Sequence, residues 1–200
     1  MQTGTKHIFL LISTTILAMA GALNAQHISF GTWAGAGLTL TNGTPYDLNF
    51  NDKTPLIITG TNQIVPISLI DEEAAVLTIE GTEYLDVTVY VDAPPTLELD
   101  ATNSIPLSIR FAYSNLGPAD IATAKIQAVE VPAGFNSATF PIFRRTSGPP
   151  GPPPTPPLEG YTPPQKTAYL FIYGTLGPVG DVNAGLYDGT INVTVEYSTY

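Results

Sequence analysis

The sequence predicts an all-β protein, an antiparallel β-sandwich, and three observations carry that reading. Several stretches alternate apolar and polar residues with period two, which turns one face of an extended strand to a core and the other to water. Glycine and proline are abundant, at 18 and 19 of 200 residues, so turns cut the chain into short elements. No long stretch has helical periodicity. Many short strands separated by turn signals bury their apolar faces best as two sheets packed face to face.

The first 25 residues read as a secretory signal peptide. Lys6 supplies a positive start, Ile8 to Ala20 an apolar run, and Leu23-Asn24-Ala25 a small-residue cleavage site before Gln26. The run falls short of the roughly 20 apolar residues that a spanning helix needs. No later stretch is long and apolar enough either, so no membrane span is expected after signal cleavage. The expected product is a single domain over 26–200, secreted to the periplasm, the cell surface or the extracellular space.

From Ile28 to Leu40 the even positions are Ile, Phe, Thr, Ala, Ala, Leu, Leu, and the odd positions from 29 to 41 are Ser, Gly, Trp, Gly, Gly, Thr, Thr. This is an alternating strand at the new N-terminus, with small residues in its middle. It serves either as the first strand of its own sheet or as a strand donated to a neighbour's incomplete sandwich. In the second case Ile28, Phe30, Leu38 and Leu40 are the inserted side chains.

Short strands are expected at 47–50, 63–70, 75–80, 96–100 and 139–144. Leu85, Val87, Val89 and Val91 alternate with Asp86, Thr88, Tyr90 and Asp92. Further on, Ile105, Leu107, Ile109, Phe111 and Tyr113 face one way, and Pro106, Ser108, Arg110 and Ala112 the other. Pro106 cannot donate to a ladder and marks an edge or bulge. Only 118–124 looks helical, with Pro118 in a first-turn position and Asp120 just after it. Residues 148–164 hold nine prolines and predict a stiff extended surface loop. Residues 168–173, apolar on both faces, predict a central strand. The last strand carries Tyr187, Ile191, Val193, Val195 and Tyr197 on one face.

Composition excludes several functions. Seven basic residues against 17 acidic ones give a net charge of −10, which argues against nucleic acid as a partner. Without cysteine there is no disulfide, no thiolate metal site and no cysteine nucleophile. No Gly-x-Ser-x-Gly elbow is present, and His27, the one histidine left after cleavage, sits at a fraying terminus that holds neither a catalytic array nor a metal.

Carboxylates are the remaining option. Glu98-Leu99-Asp100-Ala101-Thr102-Asn103 resembles the Glu-x-Asp-x-x-Glu strand of some β-sandwich glycoside hydrolases, but Asn103 removes one member of the pair that such chemistry requires. Asp71-Glu72-Glu73 and the set Asp181, Asn183, Asp188 lack calcium-loop spacing and read as solvated turns. Asn42-Gly43-Thr44 and Asn192-Val193-Thr194 match the glycosylation sequon. No catalytic residue, cofactor or metal is expected, and the reading is non-enzymatic. Tyr90 falls on the polar face of its strand and Trp33 interrupts a polar register. Those two leave a carbohydrate- or surface-binding module as the alternative.

From about residue 38 onward the chain resembles the exported bacterial domain of unknown function 4402, a pilin-like family. Asp47-Leu48-Asn49-Phe50 is similar to that family's Asp-Leu-x-Phe-Gly start, with Asn51 in place of the glycine. Ala75-Val76-Leu77-Thr78-Ile79-Glu80-Gly81 is similar to its central apolar segment. Residues 185–197 match its ending, Gly-x-Tyr-x-Gly-x-x-x-Val-x-Val-x-Tyr. The ending also resembles the last strand of chaperone–usher fimbrial subunits, although Tyr197 and Tyr200 miss the usual penultimate place. The resemblance implies an immunoglobulin-like, pilin-like sandwich and a structural or adhesive cell-surface subunit. It also implies self-assembly or other surface subunits as partners, and an export chaperone that pairs with the strand of Tyr187, Ile191, Val193, Val195 and Tyr197.

Overall fold

The computed structural model of the protein describes residues 26–43, 48–50, 62–144, 164–179, 183 and 185–198. Eleven strands and one short helix make up the described chain. The strands are β1 (Gln26–Ala34), β2 (Thr39–Asn42), β3 (Gln63–Ile67), β4 (Ala75–Thr82), β5 (Asp86–Asp92) and β6 (Thr96–Asp100), followed by β7 (Asn103–Ser114), β8 (Val129–Glu130), β9 (Ser137–Pro141), β10 (Gln165–Val179) and β11 (Tyr187–Tyr197). Helix α1 (Ile121–Ile126) lies between β7 and β8. The protein is all-β, as the alternation predicts.

Two sheets share strand β7. In the front sheet β11 is central: β1 pairs with one of its edges, β5 and Glu98 of β6 with the other, and β9 lies beyond β5. In the back sheet β10 is central, with β4 and β3 in succession along one edge and β7 along the other; β2 and β8 lie outside them. Every pairing is antiparallel except that of β1 with β11.

Pro106 sits where β7 changes sheets. Asn103 to Pro106 pair with β6, and from Leu107 onward the strand pairs with β10. A residue without an N–H is tolerated where one ladder ends and the next begins.

The core lies between the inward faces. The front sheet contributes Val87, Val89, Leu97, Ile105, Ile191, Val193 and Val195; the back sheet contributes Leu77, Ile79, Leu107, Phe111, Leu170, Ile172 and Leu176. Each such side chain contributes about 1.5–3 kcal/mol by leaving water. Tyr113 of the back sheet stacks flat on Phe140 of the front sheet, centroids 4.0 Å apart. The outer side of the back sheet is buried as well, at Val76, Ala112 and Phe171. That is why 168–173 is apolar on both faces, and why Ala112, expected to be wet, is not. The outer side of the front sheet carries no buried residue among Asp86, Thr88, Tyr90, Asp92, Asp188, Thr190, Asn192, Thr194 and Glu196.

Several boundaries depart from the sequence reading. The alternating stretch from 28 to 41 is two strands: a turn at Ala36 and Gly37, with Gly37 at φ +78, moves the chain from the front sheet to the back sheet. Residues 48–50 form no strand, although Leu48 and Phe50 are buried in the core. The strand expected over 63–70 ends at Ile67, because the Asp71 carboxylate accepts the Ser68 amide at 2.7 Å and closes a turn. The strand expected over 139–144 runs from 137 to 141. The helix starts later than 118, because Asp120 is its N-cap and accepts the Thr123 amide at 2.7 Å. The proline-rich loop lies outside the described residues except for Pro164.

Candidate functional site

The two chain ends expected to matter are brought together in one ladder. Gln26 to Ala34 run parallel to Tyr187 to Val195, one residue to one residue. Ile28 and Phe30 face inward on β1 and pack against the core; Leu38 and Leu40 do so around β2, in the other sheet. The four candidate donor residues thus do not share one strand: Ile28 and Phe30 lie on β1, Leu40 on β2, and Leu38 in the link between them. On the opposite strand, Tyr187, Ile191, Val193 and Val195 are buried, and Tyr197 is partly so. The Tyr187 hydroxyl donates to the Asn183 carbonyl at 2.7 Å.

Outward-facing residues of this ladder pair side by side. The Ser29 and Thr190 hydroxyls are 2.9 Å apart, His27 Nδ1 lies 3.6 Å from the Asp188 carboxylate, and the Asn192 side chain lies over Gly31. Trp33 stands opposite Thr194, Thr194 opposite Tyr90, and Tyr90 opposite Ser137. In-register residues of neighbouring strands point to the same face. Trp33 and Tyr90, which sequence reasoning notes separately, therefore share one row across the front sheet, and both are exposed, at 53% and 44%. Strand pairing is what joins them, and no spacing along the chain reveals it.

The glycosidase-like segment is a turn. Asp100 Oδ1 accepts from the Thr102 and Asn103 amides and from both of their side chains, at 2.8–2.9 Å. Asn103 also reaches Oδ2 at 2.9 Å. These hydrogen bonds, the Thr102 amide first, lower the Asp100 pKa to about 2. A carboxylate so engaged holds the β6–β7 connection and is a poor proton carrier. Glu98 is exposed on the strand. Asp181 lies outside the described residues, and among the described residues no three His, Cys, Asp or Glu side chains gather as a metal site.

Two further clusters are internally engaged. On the outer side of the back sheet, Glu130 Oε2 accepts from Arg110 at 2.9 Å and from the Tyr173 hydroxyl at 2.8 Å. Burial, then the bond to Glu130, push the Tyr173 pKa up to about 12. Lys125 donates from its ammonium to the Asp71 carbonyl, and burial lowers its pKa. Comparison with known proteins finds no family model that matches the chain and no curated protein that matches it significantly.

Proposed function

We propose that this chain is an exported, non-enzymatic subunit with a structural or adhesive role at the cell surface. In this reading β1 closes the sandwich of a free subunit and links subunits when exchanged between copies. The observation that carries it is the parallel pairing of Gln26–Ala34 with Tyr187–Val195. A second copy's β1 offers β11 the same amides, carbonyls and apolar side chains, so exchange replaces each contact by an identical one. Among the described residues the strand is laddered along one edge only, and its link to β2 is Gly35 to Leu38, with Gly37 already in the left-handed region. Such elements open at a lower cost than strands held on both edges. Ile28 and Phe30 travel with the strand, while Leu38 and Leu40 remain with their own copy. The resemblance to pilin-like exported domains favours the same role, and the engaged Asp100 carboxylate favours a non-enzymatic one.

The absence of cysteine makes the test clean. Ser29→Cys and Thr190→Cys replace hydroxyls that nearly touch, within reach of a disulfide. Both substitutions in one chain should give an internal disulfide. The two single variants, mixed under oxidising conditions, should give a covalent heterodimer if β1 is donated. A mixture that stays monomeric, beside a double variant that oxidises fully, would end the strand-exchange reading. The alternative, a monomeric surface-binding module, is favoured by the row of Trp33, Thr194 and Tyr90.

A further inference from the structure

We propose that the outer face of the front sheet binds an extended neutral polysaccharide, with Trp33 and Tyr90 as two stacking platforms. The face belongs to the fold whichever copy supplies β1. Strand exchange would bring in a neighbour's Trp33 at the same register, so the site stands or falls separately from exchange.

The Cα atoms of the two residues flank that of Thr194 in one cross-strand row, two strand spacings apart, about 10 Å. On the described outer positions of β1, β11, β5 and β9 they are the only large apolar side chains; the rest are Ser, Thr, Asn, Asp, Glu, His, Gly and Pro. Trp33 has room to lie down. Gly35, two residues after it, carries no side chain, and a Cβ there would meet the far edge of the indole at 3.8 Å.

A pyranose ring has an apolar face of C–H bonds and a rim of hydroxyls. Its face covers an exposed aromatic ring and leaves water, while its rim seeks hydrogen-bonding groups. Those groups surround the row. Asn192 and Asp92 lie on one side of it, Glu196, Thr88 and Thr139 on the other. The Thr88 hydroxyl is 2.9 Å from that of Thr139 and 2.8 Å from that of Ser198, a fixed array rather than free rotors. Platforms two strands apart suit a ribbon-like chain that stacks alternate rings, as β-1,4-linked hexoses do. Charge selects among such chains. Asp92 and Glu196 flank the row, and no Lys or Arg stands on these outer positions, so an acidic polymer would be repelled.

Trp33 is the single tryptophan of the chain, so its fluorescence reports this face alone. The protein is titrated with hexasaccharides of β-1,4-linked glucose and of β-1,4-linked mannose, and with polygalacturonate as the acidic control. The expected result is a saturable change in emission with at least one neutral hexasaccharide and none with polygalacturonate. Tyr90→Ala, which keeps the reporter, should weaken binding about tenfold, the scale of one lost stacking contact. Ile126→Ala, an exposed residue on α1, should leave it unchanged. No saturable response to either neutral probe, an equal response to polygalacturonate, or full affinity in folded Tyr90→Ala would overturn the proposal.

Discussion

Tyr197 is tied to Gly37: its hydroxyl donates to the Gly37 carbonyl at 3.1 Å and accepts the Thr82 amide at 2.9 Å. One phenol thus joins the end of the last strand, the turn between β1 and β2, and the end of β4. Tyr197→Phe keeps the ring and removes both bonds, leaving the partly buried Thr82 amide without this partner. It should cost about 1–3 kcal/mol, read as a lower urea midpoint with an unchanged m-value. Because the bond to Gly37 holds the hinge of β1, the variant should also raise the yield of heterodimer in the Ser29→Cys and Thr190→Cys mixture.

The backbone of Ser108 leaves no room for a side chain on Gly174. A Cβ on Gly174 would collide with the Ser108 carbonyl in the ladder between β10 and β7. Strand β10 is held on both edges and yields little. Gly174→Ala should destabilise by about 1–3 kcal/mol or more through overpacking. An unfolding midpoint equal to the parent's would contradict this placement of the strands.

The fold was legible wherever one face of a strand meets water. Val87, Val89 and Val91, or Ile191, Val193 and Val195, announce their strands because Thr, Asp and Asn alternate with them. Legibility fails where chain direction changes without breaking the alternation. Phe30 and Leu38 both face the core and keep the same parity, so the shift from front sheet to back sheet at Gly37 leaves no trace in the pattern. It fails again at Leu48 and Phe50, which are buried in a segment that is no strand. The row of Trp33 and Tyr90 was out of reach for a different reason. The two residues are joined only through Thr194, and that register exists only once β1, β11 and β5 have paired.

Two groups predict opposite pH limits. Asp100 has a depressed pKa when folded, so its contribution is complete above 3.8 and is lost as pH falls toward about 2. Asp100→Ala should be less stable at neutral pH and should lose less than the parent between those values. Tyr173 has a raised pKa, and the folded state therefore retains its proton where the unfolded chain gives it up. Stability is complete below 10.0 and is lost as pH rises toward about 12. Glu130→Gln removes the hydrogen-bonded charge and should let Tyr173 ionise at lower pH, seen as earlier tyrosinate absorbance. Burial is the larger cause of the shift, so part of the delay should survive the substitution.

The last prediction concerns how unevenly the sandwich opens. Strand β10 is laddered on both edges and carries Leu170, Phe171 and Ile172, all fully buried. Among the described residues strand β1 is laddered to β11 alone, its inward Ile28 and Phe30 are only partly buried, and Trp33 is in water. Amide protection follows the free energy of the smallest opening that frees the bond. The β10 amides should exchange only through global unfolding and track the denaturant-derived stability. Those β1 amides that bond to β11 should exchange through a cheaper local opening, with little denaturant dependence. An exchangeable donor strand requires this gap, because β1 must leave while the other strands stay folded. Equal protection in β1 and β10 would mean that β1 leaves only when the whole domain unfolds, and exchange between folded copies would then have no route.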